Sequence, residues 1–317
     1  MISTRALARL GVTGAVAGTA LATYAWREST NLELTYTVIP IENLPSGLDG
    51  LRILHIADTH FPGNARSLPR FRRAIEQMNY DIVLATGDYA ETTRGWPTVV
   101  DAFRHLEPKL GCYAVIGGHE RYAAMRTPGD VRQHIRSFFN HAARRLIDPT
   151  PLVDKLRALG VCVLINESVD LVIRGEAVRI IGIDDAALGQ DDLAAALPES
   201  PLDHFEILLS HSPDGVLHPR AHRIPLALSG HTHGGQIRLP GYGAPVRHAH
   251  AVTRHHPAGL MRIGTTQTYV SRGFGTSAIP LRLGARPELG IIELQRATAT
   301  TSVAPLRSIE RPIAVSD

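Results

Sequence analysis

Five short segments rich in Asp and His each close an apolar, β-like run, and no other feature constrains the chain as much. They are Asp58-Thr59-His60, Gly87-Asp88, Gly117-Gly118-His119-Glu120, His211 and Gly230-His231-Thr232-His233. Short apolar runs bounded by turn signals read as buried strands. Where such strands alternate with helices they pair in parallel, and their C-terminal loops gather on one edge of the sheet. Side chains far apart in sequence then converge on one point. Asp and His are the oxygen and nitrogen ligands taken by borderline and hard divalent cations.

The pattern between the segments fits this reading. Asn31 to Ile41 alternates as a half-buried strand does. Leu51 to Ala57 reads as a buried strand ending at Asp58, Asp81 to Thr86 as one ending at Gly87, and Gly111 to Ile116 as one ending at Gly117. Helical spacing fills the gaps, over Arg66 to Asn79 and Trp96 to Leu106. Two amphipathic helices are expected over Val131 to Leu146 and Leu152 to Leu159. After Gly160 the runs Val161–Ile165, Ser168–Arg174 and Val178–Ile183 are short and closely spaced, as in a meander. Phe205–Ser210 and Pro225–Ser229 each end in a histidine segment, and Thr268–Ser271 and Gly290–Leu294 read as closing strands. From about Arg296 the pattern weakens into a tail.

Composition narrows the class. The 317 residues are 44% hydrophobic and 20% charged, a globular balance that suits one large domain or two small ones. A net charge of +3 and 5% aromatics give no footprint for nucleic acid, and weakly favour anionic substrates or membrane surfaces. The two cysteines, Cys112 and Cys162, sit in apolar runs and read as small core residues, with a disulfide as the alternative. Leu10 to Trp26 carries no charge, follows Arg5 and Arg9, and is rich in Ala, Gly and Thr. An export signal or single membrane anchor is expected there, with a buried helix as the bland reading. An anchor with basic residues on its N-terminal side puts the domain outside the cytoplasm.

Hydrolysis of a phosphate ester is the chemistry these ligand types suit. Two cations about 3.5–4 Å apart share a bridging carboxylate, polarise the phosphoryl oxygens and acidify the attacking water. A separate acid protonates the leaving oxygen. At the residues that carry it, the likeness is plain: D-x-H, G-D, G-x-H-E, H and G-H-x-H run in order from Asp58 to His233. The set resembles the calcineurin-like metallophosphoesterase superfamily. Leu51–His60, Gly230–Ile237, Tyr269–Thr276 and Arg282–Glu288 resemble its membrane-associated bacterial phosphodiesterase branch, which includes enzymes similar to UDP-2,3-diacylglucosamine pyrophosphatase.

The resemblance implies an α/β fold, a four-layer α/β/β/α sandwich of two mixed sheets flanked by helices. It implies an N-terminal signal or anchor over 1–30, a metallophosphoesterase domain over 31–296 and a C-terminal tail over 297–317. It implies a phosphoric ester hydrolase that cleaves a phosphodiester or pyrophosphate bond, on a substrate that is lipid-linked or at a membrane surface, with two divalent ions of manganese, iron or zinc. Asp58, His60 and His233 correspond to ligands of the first metal, Asp88 to the bridge, and His211 and His231 to ligands of the second. His119 corresponds to the proton donor or transition-state stabiliser, and Glu120 to a residue that orients His119 or the adjacent loop.

One position departs from the pattern. The family carries an asparagine where this chain has Gly118, which offers no side chain to the second metal. Three outcomes are open: a site completed by a water, a site with one tight and one loose metal, or a weakly active or non-catalytic metal-binding protein on the same fold. Asn64, Asn140 and Asn166 are candidate replacement donors, and Asp184-Asp185 ends a strand that can face the site. Arg272 and Arg282 read equally as phosphate ligands or as structural ion-pair partners, and His55 as a core or supporting residue. His222, His248, His250, His255 and His256 lie in a Pro- and Gly-rich region that reads as a solvated loop or a substrate-facing one. The helix bearing Arg132, Arg136, Arg144 and Arg145 reads equally as a solvated face or a contact for anionic lipid.

Overall fold

The computed structural model describes residues 4–122, 146–197, 204–297 and 311–312. Along the chain come helix α1 (Thr4–Thr30), strands β1 (Glu33–Ile41) and β2 (Arg52–Ile56), α2 (Leu68–Glu76), β3 (Ile82–Thr86), α3 (Trp96–Arg104), β4 (Cys112–Val115) and the short α4 (Gly118–Arg121). Then follow α5 (Thr150–Ala158), β5 (Cys162–Val163), β6 (Glu167–Ile173), β7 (Glu176–Gly182), α6 (Leu193–Ala196), β8 (Phe205–Leu209) and β9 (Leu226–Ser229). The last are β10 (Gly259–Ile263), β11 (Thr266–Val270), β12 (Glu288–Arg296) and β13 (Arg311–Pro312).

These strands form two mixed sheets. The first has the order β13-β1-β12-β2-β3-β4-β5 and the second β10-β11-β9-β8-β7-β6. In the first, β2 to β5 are parallel; in the second, β7, β8, β9 and β11 are. The period-2 alternation of the strands divides their side chains between two cores. Ile53, Ile82, Leu84 and Val115 meet Val178, Ile180, Ile207, Leu209, Leu226 and Leu228 between the sheets. Leu54, Ile56, Val83, Ala85 and Ala114 face outward, under Phe71 of α2, Val99 and Phe103 of α3 and Leu152 and Leu156 of α5. On the far side Ile181, Leu208 and Ala227 pack with Leu193 of α6 and with Val216 and Ala221. The result is two sheets stacked face to face with helices on both outer faces, the expected sandwich.

One expectation is revised. The runs after Gly160 do not form a simple meander: β5 joins the first sheet, β6 and β7 form an antiparallel hairpin in the second, and β8 returns parallel to β7. Arg174 and Gly175, at φ of 50° and 87°, make the tight turn of that hairpin. A two-residue loop with both φ positive matches the twist of the strands it joins. In the segment read as a tail, β13 pairs antiparallel with β1. Cys112 and Cys162 are free thiols, and burial pushes both upward in pKa. The basic helix expected over Val131 to Leu146 lies, except for Leu146, outside the described residues.

The N-terminal apolar stretch is one helix whose last turns dock on the domain. Ala25 O accepts from Arg282 N at 3.0 Å, Glu28 Oε1 accepts from Ala285 N at 2.9 Å, and Ser29 Oγ donates to Pro280 O at 3.1 Å. Further toward its start Val16, Leu21 and Tyr24 are exposed. No helix among the described residues is long and apolar enough to cross a membrane.

Candidate metal centre

The five segments do meet. β2, β3 and β4 bring Asp58, His60, Asp88 and the Gly117–Glu120 segment to one edge of the first sheet. β8 and β9 bring His211, His231 and His233 to the adjoining edge of the second. Nδ1 of His211 lies 2.8 Å from Thr86 O at the end of β3, which ties the two edges together.

The backbone pays locally for this convergence. Asp58, His60, Asp88, His231 and His233 all have positive φ, from 41° to 69°. Residues other than glycine rarely adopt this region, at a cost on the order of 1–3 kcal/mol each, and they do so chiefly at functional sites. Hydrogen bonds offset the strain. Asp58 accepts from His231 N with both oxygens, at 3.0 and 2.9 Å, and Asp88 Oδ1 accepts from His119 N at 2.8 Å. Two glycines leave room for the carboxylates: a Cβ on Gly230 would collide with the Asp58 carboxylate, and one on Gly117 with that of Asp88.

Three overlapping sets of donor atoms result: Asp58, His60 and His233; His60, Asp88 and His119; and Asp88, His211 and His231. Nε2 of His60 and Nε2 of His233 are 3.1 Å apart, and Nε2 of His211 and Nδ1 of His231 are 3.2 Å apart. Two nitrogens binding one cation at 2.0–2.1 Å stand about 3 Å apart when the angle between them is near 90°. Asp88 Oδ2 lies 3.6 Å from His60 Nε2 and 3.2 Å from His211 Nε2, so one carboxylate faces both histidine pairs. The donor set fits two divalent cations sharing Asp88.

The charges of these groups act strongly on one another. Burial and the neighbouring Asp88 carboxylate push the Asp58 carboxyl up to about 6, against the pull of His211 and His60. Asp88 is held well below the carboxylate range, because the imidazoles of His211, His119 and His60 outweigh its burial. Burial lowers His60, but the Glu91 carboxylate overrides it and lifts the ring to about 9. Burial and the adjacent His60 and Arg282 keep His233 neutral, as a metal-binding imidazole must be.

Other residues fall into place around this centre. His119 is nine-tenths buried, with Nε2 3.4 Å from Ser277 Oγ and its ring centroid 4.6 Å from that of His60. Glu120 braces the loop rather than His119: its carboxylate accepts from Asp88 N, Tyr89 N and Gly117 N at 2.9, 2.8 and 2.9 Å. Gly118 sits beside His119 and offers no donor. Asn64 accepts from Arg66 N, and both polar atoms of the Asn166 amide are bonded, to Asp184 N, Asp192 N and Gln190 O; Asn140 lies outside the described residues. Arg272 pairs with Glu33 and Glu288. Arg282 is fully buried and donates to the carbonyls of His233, Arg272, Gly273, Gly275 and Ala285. Both arginines are therefore structural. His55 is buried 3.0 Å from Thr86 Oγ1, a core position. Of the loop histidines, His248 approaches the centre, its carbonyl 3.2 Å from His231 Nε2.

Glu91 was not legible as a site residue. Its Oε2 lies 2.7 Å from His60 Nδ1 and 3.7 Å from His119 Nδ1, so it buttresses two imidazoles at once. Its place three residues after Asp88, just beyond β3, is the signal that could have found it.

Comparison with known proteins agrees with this geometry. The model of the calcineurin-like phosphoesterase family matches residues 51–235. The chain is 27% identical over 303 residues to the uncharacterized metallophosphoesterase YkuE of Bacillus subtilis, covering 90% of this chain and 95% of that protein. It is 28% identical over 251 residues to the phosphodiesterase YaeI of Escherichia coli, covering 77% of this chain and 82% of that one. It is also 28% identical over 231 residues to the UDP-2,3-diacylglucosamine pyrophosphatase LpxG of Chlamydia trachomatis, covering 62% of this chain and 69% of that one. With the family match spanning more than half its length and all five Asp- and His-bearing segments gathered where the edges of the two sheets adjoin, the chain belongs to the calcineurin-like phosphoesterase family, as a phosphoric ester hydrolase.

Proposed function

We propose that the chain cleaves a phosphodiester or pyrophosphate bond at a two-metal site, on a lipid-linked substrate at a membrane surface outside the cytoplasm. The observation that carries the hydrolytic part is Asp88, whose Oδ2 faces His60 on one side and His211 on the other. In this reading Asp58, His60 and His233 would hold the first cation, His211 and His231 the second, with Asp88 shared between them. Two such cations polarise the phosphoryl oxygens and lower the pKa of the attacking water.

The chain's own residues do the rest. His119 stands beside the first histidine pair and hands a proton to the leaving oxygen. Burial holds its pKa below the usual range, and an incoming phosphate anion pushes it back up, the direction a proton donor needs. Glu91 steadies both His60 and His119, and Glu120 fixes the loop that carries Asp88.

The membrane part rests on the exposed Val16, Leu21 and Tyr24 of α1, on Arg5 and Arg9 near its start, and on the lipid-derived substrate in the name of LpxG. A second reading, a weakly active or non-catalytic metal-binding protein, is favoured by the missing side chain at Gly118. Turnover of bis-p-nitrophenyl phosphate by the full chain with added manganese separates the two. The hydrolase reading expects metal-dependent turnover that falls by about 10²–10⁴-fold in His119→Ala. Absence of turnover in pure, metal-loaded protein sinks it. Flotation with anionic vesicles tests the membrane part, and no flotation of the full chain removes it.

A further inference from the structure

The turn after β7 carries Asp185 to the place that the missing side chain at position 118 leaves. β7 runs parallel to β8, with Gly182 opposite Leu209. Ile183 N continues the ladder by donating to Leu209 O at 3.1 Å. Two residues further on, the chains deliver Asp185 from β7 and His211 from β8 to the same edge. Asp185 is buried, 1% exposed. A Cβ built on Gly118 would stand 3.0 Å from Asp185 Oδ2, 3.1 Å from Tyr122 OH and 2.6 Å from Tyr122 Cε1. The place of a Cβ at position 118 is thus crowded by a carboxylate and a phenol.

Asp185 is held there firmly. Its Oδ1 accepts from Ala187 N at 2.9 Å, and its N–H donates to Asp184 Oδ1 at 2.8 Å. Asp184 in turn pairs with Arg121, whose Nε is 3.3 Å from Asp184 Oδ1. Arg121 is the last residue of α4, the helix that Gly118 opens, so one ion pair fixes α4 against the Asp184-Asp185 turn. The negative charge of Asp185 acts on both imidazoles of the second donor set. On His211 it adds to the larger effect of Asp88 against burial, and on His231 it opposes burial and the neighbouring His211. Asp185 stands outside the tight set of Asp88, His211 and His231.

We infer that Asp185 completes the second metal site in place of a side chain at position 118, by holding a water in the coordination position that glycine leaves open. The inference rests on the two-metal reading and makes the second site more anionic than an asparagine would. It also predicts that asparagine at position 118 does not improve the site, because Tyr122 and Asp185 already crowd the place of its Cβ.

The test is metal binding, read without any substrate. The full chain, stripped of metal, is titrated with manganese by calorimetry, and the ions retained after desalting are counted. Wild type is expected to bind two ions. Asp185→Ala is expected to weaken the second by about 10–100-fold, leave the first unchanged, and lose the spin coupling between paired manganese ions. Asp185→Asn, which keeps the acceptor for Ala187 N, controls for folding and is expected to lose less. Gly118→Asn is expected to bind the second ion no more tightly than wild type. Two ions bound with unchanged affinity in both Asp185 variants overturns the inference and leaves the two-metal reading standing. Failure of wild type to bind a second ion overturns the two-metal reading itself.

Discussion

Glu91 Oε2 lies 2.7 Å from Nδ1 of His60, and Nε2 of the same ring points at Asp88 and His233. A carboxylate behind a metal-binding imidazole fixes its tautomer and raises its basicity. Replacing Glu91 by Gln is therefore expected to weaken the first metal by about 10–100-fold. A competition titration against a chelating indicator measures this. An unchanged affinity means that Glu91 serves His119 alone.

Gly230 abuts the Asp58 carboxylate so closely that any side chain displaces it. Gly230→Ala is expected to cost about 1–3 kcal/mol of stability in metal-free protein, by overpacking. It is also expected to abolish binding at the first site. Urea unfolding in chelator and a metal count on the same sample check both.

Arg282 is fully buried and donates to five backbone carbonyls. Leaving several buried carbonyls unpaired costs about 1–3 kcal/mol each. Arg282→Met is thus expected to lose ~3 kcal/mol or more of stability with no substrate present. A variant of unchanged stability with a raised KM contradicts the structural role and revives phosphate binding.

The ligand sets were legible because each sits at a strand end and the strands are marked by apolar runs. Asp58, His60, Asp88, His211, His231 and His233 need only the sheet edge to converge, and the sheet edge follows from parallel pairing. Glu91 was not legible in this way, and Asp185 only as the end of a strand that can face the site. Their parts depend on where a side chain reaches across loops, which spacing in sequence does not encode. Strand direction was legible only in the first half. A short apolar run carries no sign of its partner, so β5, β6 and β7 read as one meander although β5 belongs to the other sheet. The docking of α1 was hidden for another reason. Ala25, Glu28 and Ser29 bond to the loop before β12, far along the chain, and an apolar stretch does not announce such contacts.

His55 gives the stability a sign with pH. Burial holds its pKa at about 4, against an ordinary value of 6.5. Below 6.5 the unfolded chain binds a proton that the folded chain refuses until about 4, so stability falls as pH drops through that window. The full window is worth on the order of 3 kcal/mol, at 1.36 kcal/mol per unit. His55→Gln is expected to flatten the fall between pH 6.5 and 4.5 by about one proton's slope. Equal slopes in denaturant melts of the two proteins exclude this.

The account stands or falls on Asp88 serving two cations at once. The direct measurement is the number of manganese ions retained per chain by wild type and by Asp88→Asn. Sharing predicts two ions in wild type and fewer than one in the variant, since one substitution weakens both sites. Two ions retained by Asp88→Asn, or none by wild type, contradicts it.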